Sequence, residues 1–158
     1  MKGDKKMAEI RQGETLEMEN LMSFRGKVRQ QELEKLGNDL ELQVKTSGAE
    51  RVGYPITVTY GIEGDLIDVE VLLPINKRVP STGKYVFKEK LLITNALMVK
   101  HVGNPAGLQA ACDELNKHIM ENKLVPITVG YNVTRKVDMI NPNNTEIDVY
   151  VGISPNIL

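Results

Sequence analysis

The chain has 158 residues, of which 20 are basic and 21 acidic, for a formal charge of −1. That balance provides no general basic surface to neutralise phosphates, so direct nucleic-acid binding is not expected. No apolar run approaches the roughly 20 residues needed to span a bilayer, and the one cysteine, Cys112, cannot form an intramolecular disulfide. Membrane-spanning and disulfide-framed classes are excluded, and the cytoplasm is the expected location.

The first 13 residues are charged and lack the apolar stretch of a secretory signal; they read as a flexible lead-in, with a single domain over 14–158. A strand is expected from about Glu19 to Val28. Leu33, Leu36, Leu40 and Val44 then recur at steps of three and four, on one face of a helix. Ile56, Val58 and Tyr60 alternate with Thr57, Thr59 and Gly61. After a turn at Glu63-Gly64-Asp65, Ile67, Val69, Val71 and Leu73 alternate with Asp68, Glu70 and Leu72. Pro80, Ser81, Thr82 and Gly83 mark a linker over about 77–89.

The same order then returns. A strand is expected from Leu91 to Val102, and Asn104 with Pro105 starts a helix carrying Leu108, Ala111, Cys112, Leu115 and Ile119 on one face. Ile127, Val129, Tyr131 and Val133 alternate with Thr128, Gly130, Asn132 and Thr134. Ile147, Val149, Val151 and Ile153 alternate with Glu146, Asp148 and Tyr150.

Two strings make the repetition explicit. PITVTY at 55–60 and PITVGY at 126–131 are related by a shift of 71; LIDVEVLLP from Leu66 and EIDVYVGIS from Glu146 are related by a shift of 80. The chain therefore reads as an α+β domain of two strand–helix–strand–strand units, about 14–76 and 90–154. One unit alone would leave an apolar sheet face and a helix stripe uncovered, so the halves are expected to pair. The more apolar strand faces, Tyr60 and Tyr131 included, are expected beneath the helices. The polar faces are either solvated or line a groove between the halves.

These residues carry a resemblance. PITVTY, IDVEVLLPI, HVGNPAGLQAACDELNKHI and TEIDVYVGI, spread over about Glu14 to Ile153, are similar to the gyrase-inhibitor-like (GyrI-like) superfamily. That superfamily includes effector-binding domains of bacterial multidrug-responsive transcription activators. The resemblance implies a curved antiparallel sheet with two helices on one face and a ligand groove on the other. It assigns the groove to Thr57, Thr59, Asp68, Glu70, Thr128, Asn132, Asp148 and Tyr150. Many drug-binding relatives place a buried glutamate where the alignment puts Asn132, so this chain departs from that pattern.

The expected function is binding of an effector or drug-like small molecule in the inter-repeat groove by a protein carrying only the sensing part of such activators. Two alternatives stand beside it: a module that modulates a protein partner, and a hydrolase of small reactive electrophiles using Glu70 and Tyr150, which the shift of 80 makes repeat partners. No catalytic set is otherwise assigned, and neither a cofactor nor a metal is expected. His101, His118 and Cys112 have no companions at ligand or nucleophile spacing and read as structural.

Overall fold

In the computed structural model, residues 9–155 are described. The elements are β1 (Ile10–Arg29), α1 (Leu33–Thr46), β2 (Ile56–Glu63), β3 (Leu66–Pro74), β4 (Tyr85–Val102), α2 (Leu108–Glu121), β5 (Tyr131–Lys136) and β6 (Glu146–Gly152). The helices form where the apolar stripes predict them. Leu36, Leu40 and Val44 bury the face of α1, and Ala111, Leu115 and Ile119 that of α2. Asn104 caps the three-residue turn leading into α2, its side chain accepting from the Ala106 amide. No helix among the described residues is long and apolar enough to cross a membrane.

The strands close into one antiparallel barrel in the order β1-β3-β2-β5-β6-β4. The curved sheet expected from the resemblance is thus curved until β1 meets β4. Closure rests on the length of β1, which pairs with β3 through its second half and with β4 along most of its course. β1 begins at Ile10 rather than near Glu19, so the end of the stretch read as a lead-in lies in the barrel wall, opposite Val99. The remainder of that lead-in, residues 1–8, lies outside the described residues.

Three cores result. One lies under α1, against Val69, Val71 and Leu73 of β3 and Met22 of β1. A second lies under α2, against Leu97 and Val99 of β4 and Val149 and Val151 of β6. The third fills the barrel and includes Leu16, Leu21, Ile56, Val58, Leu72, Ile93, Met98, Val133 and Tyr150.

The internal repeat is real, but the two similar strings do not give its register. Across the β2–β5 junction Ile56 pairs with Val133 and Val58 with Tyr131. A twofold axis through the central pair of this junction, Thr57 with Asn132, exchanges Ile56 with Tyr131, a shift of 75. The same shift relates the buried residues of α1 to those of α2. It also relates Asn20 to Asn95, the two strand residues with φ near +58° and +52°. Asn20 accepts from the Ile75 amide and Asn95 from that of Ile153, so β3 and β6 are related by a shift of 78. The longer second hairpin accounts for the difference.

PITVG at 126–130 is therefore no copy of PITVT. Ile56 is fully buried, whereas Ile127 is 62% exposed. Pro126 lacks an amide for a ladder and makes only an isolated bridge with Ile153. Thr128 leaves the strand pattern to splice the segment to β6: its hydroxyl accepts from the Gly152 amide at 2.8 Å.

Candidate functional site

Which face of each strand enters the barrel follows from where the helices lie. α1 contacts β1 and β3, and α2 contacts β4. The faces of β3 and β6 opposite the helices, with Glu70, Asp148 and Tyr150, point into the barrel. β2 and β5 lie away from the helices, and their apolar faces turn into the barrel instead. Tyr60 and Tyr131 thus pack against the barrel core, not beneath the helices. Thr57, Thr59 and Asn132 occupy the opposite faces. Thr59 and Asn132 line an outer cleft of about 440 Å³ with Gln109, Cys112 and Asn116 of α2.

The interior carries two charged clusters, one in each half. In the first, Glu70 is 4% exposed. Its Oε1 accepts from the Tyr60 hydroxyl at 2.9 Å, and its Oε2 from Lys88 Nζ of β4 at 2.5 Å. Arg25 of β1 faces Glu70 across the β1–β3 ladder. It bonds Asp68 at 3.3 Å, and its guanidinium lies 3.6 Å from the centroid of the Tyr60 ring. Burial first, and then the hydrogen bond to Glu70, pushes the Tyr60 phenol well above its ordinary pKa.

In the second cluster Asp148 is 5% exposed. Arg135 Nε donates to its Oδ2 at 2.9 Å, and Lys100 Nζ lies 2.9 Å from Oδ1. Arg135 also donates to the Tyr150 hydroxyl at 2.8 Å. Hydrogen bonding to Asp148 holds the Lys100 ammonium above its usual range, against the opposing effect of burial. Burial likewise lowers the Arg135 pKa, but its bonds to Asp148 and Tyr150 outweigh that effect.

The structural repeat explains this pairing. Under shifts of 75 and 78, Glu70 corresponds to Asp148, Asp68 to Glu146, Arg25 to Lys100 and Tyr60 to Arg135. The ion pair Arg25–Asp68 accordingly recurs as Lys100–Glu146 at 3.4 Å. Both ladders skip a residue at the corresponding place, between Thr59 and Gly61 and between Thr134 and Lys136. The skipped residues are Tyr60 and Arg135, and these bulges aim both side chains at the buried acids.

Of the expected groove residues, the fold brings Asp68, Glu70, Asp148 and Tyr150 to the barrel interior and its rims. Thr57, Thr59 and Asn132 face outward, and Thr128 serves the backbone splice. Glu70 and Tyr150 are not repeat partners; their hydrogen bonds tie them into separate clusters. Sequence reasoning missed Arg25, Lys88, Lys100 and Arg135. All four are strand cations, and three of them directly follow an apolar strand residue, Phe24, Phe87 or Val99, which was the available signal. His101 bonds the Asn104 carbonyl oxygen, and His118 meets Gln12, both structural contacts. Among the described residues no group of three His, Cys, Asp or Glu side chains is placed to hold a metal.

No family profile matches the sequence, and no curated protein does. Solved structures do. The DNA-bound EcmrR in its open transcription complex superposes with a TM-score of 0.77 at 17% identity, covering 94% of this chain and 58% of that one. The isolated EcmrR C-terminal domain gives 0.74 at 15% identity, covering 94% of this chain and 99% of the domain.

The chain has the GyrI-like fold.

A more distant likeness, SAV2435 bound to tetraphenylphosphonium, gives a TM-score of 0.54 at 6% identity, covering 94% of each chain. At these identities the likeness concerns the fold. The chain spans somewhat more than half of the DNA-bound EcmrR chain.

Proposed function

We propose that this chain is a cytoplasmic small-molecule-binding protein whose ligand enters the barrel at its charged rims, against Glu70 and Asp68 on one side or Asp148 and Tyr150 on the other. One observation carries the reading: a carboxylate only 4% exposed, Glu70, held among the Tyr60 phenol and two cations at a barrel mouth. Burying such a group costs several kcal/mol unless it is paired, and an apolar residue would fill the barrel more cheaply. A convergent set of polar groups at the edge of an apolar interior is the usual form of a ligand site. Likeness to the EcmrR C-terminal domain and to a tetraphenylphosphonium-bound protein supports the same reading.

A cleft of about 450 Å³ lined by Met18, Tyr54, Pro74, Val133 and Arg135 offers an entrance at the second cluster. The interaction-module reading keeps less strand edge once the sheet closes, since β2 pairs with β5 only from Ile56 to Val58, and the groove is its other docking site.

A thermal-shift panel of metabolites and organic ions, tetraphenylphosphonium among them, tests the proposal on wild type, Glu70→Gln and Asp148→Asn. A ligand at about 100 times its Kd stabilises the wild type by about 2.7 kcal/mol. That stabilisation should disappear in at least one variant. A panel that stabilises nothing, or stabilises all three proteins equally, would put the site elsewhere.

A further inference from the structure

The barrel supplies its own counter-ions. Each acid of the two clusters has a basic neighbour from another strand: Glu70 has Lys88, Asp68 has Arg25, Asp148 has Arg135, and Glu146 has Lys100. Lys88 is the informative member. Its ammonium reaches a carboxylate whose side chain is 6% exposed, while its own side chain remains 43% exposed. The aliphatic stem thus runs along the mouth and delivers the charge inward. Lys88 faces Leu21 across the β1–β4 ladder, so β4 fixes its backbone on the barrel side of the wall. The ammonium occupies the place, against Glu70 Oε2 and within the Tyr60–Arg25 setting, that the cationic head of a ligand would take.

We propose that Lys88 is a tethered occupant of the Glu70 cation site, which holds simple organic cations out of this barrel. The inference rests on the barrel-interior reading above and narrows its ligand class. With Lys88 in place, Glu70 has no unmatched charge to offer. An entering cation must either displace an ammonium fixed by its own backbone or approach it against like-charge repulsion. A ligand of the unmodified protein is therefore neutral or zwitterionic, with an acceptor for Lys88 as well as a donor for Glu70. The three other cations remain beside Asp68, Asp148 and Glu146, so the gain on removing Lys88 belongs to the Glu70 cluster alone.

Isothermal titration with benzyltrimethylammonium decides the matter. Lys88→Met should bind this permanent cation at least about tenfold more tightly than wild type. Adding Glu70→Gln should remove the gain, and Lys88→Arg should bind no better than wild type. Lys88→Gln, which keeps a donor for Glu70 Oε2 without the charge, carries the same comparison if Lys88→Met does not fold. Equal affinity in wild type and the neutral variants, or a gain that survives Glu70→Gln, overturns the tether. If the tether fails while a panel ligand still depends on Glu70 or Asp148, the general reading stands. If no panel ligand depends on either acid, the general reading falls with it.

Discussion

Tyr60 and Arg135 show how a single skipped residue creates a site. Each sits at a break in ladder register, and each turns its polar tip onto a buried acid. Because Tyr60 has a raised pKa, the folded protein retains the phenolic proton at a pH where the unfolded chain has released it. The sign follows directly: this contribution is fully present below about pH 10, the unfolded value, and is lost as pH rises beyond it. Tyr60→Phe should therefore show a shallower fall in stability above about pH 10 than wild type, as measured by urea unfolding across that range. Near neutrality the same change leaves Glu70 Oε1 without its donor and should cost about 1–3 kcal/mol. A variant that follows the wild-type pH curve would remove Tyr60 from the cluster.

Among the elements, β5 and the segment before it depart furthest from their sequence pattern. PITVGY has the alternation and β-branched residues of a strand, and five of its six residues match PITVTY. Alternation reports only that a segment can be extended with two unlike faces; it says nothing about which neighbour supplies its ladder. In the barrel β5 pairs with β6 from Tyr131 to Lys136, and with β2 only from Tyr131 to Val133, opposite Ile56 to Val58. Ile56→Ala should cost about 2–5 kcal/mol, while Ile127→Ala should stay within about 0.5 kcal/mol, by chemical denaturation. Comparable losses at the two sites would restore the shift of 71. The splice makes a related prediction. A Cβ on Gly152 would lie 3.0 Å from both Ile93 Cγ2 and Thr128 Cγ2. Gly152→Ala should thus destabilise by about 1–3 kcal/mol.

For the molecule as a whole, duplication and closure act together. Helices cover the β1–β3 and β4–β6 walls, and the twofold junctions β2–β5 and β1–β4 bring the halves together. Leu40 and Leu115, fully or almost fully buried, occupy equivalent places under this relation. Leu40→Ala and Leu115→Ala should each cost about 2–5 kcal/mol, with similar losses of thermal stability. A large asymmetry between them would argue against equivalent helix docking.

The sequence by itself determined the order of the elements, the duplication and the apolar faces of both helices, because these depend on periodicities of a few residues that any neighbour would read alike. It also singled out Asp68, Glu70, Asp148 and Tyr150 as polar residues opposite the helix-covered faces of β3 and β6. Only the tertiary structure decided the register of the repeat, the inward turn of Tyr60 and Tyr131, and the cations set against the acids. A strand has two faces of equal standing until something covers one of them. α1 and α2 cover the outer faces of their own walls and leave those of β2 and β5 open, so the same alternation that places Val69 beneath a helix places Val58 inside the barrel.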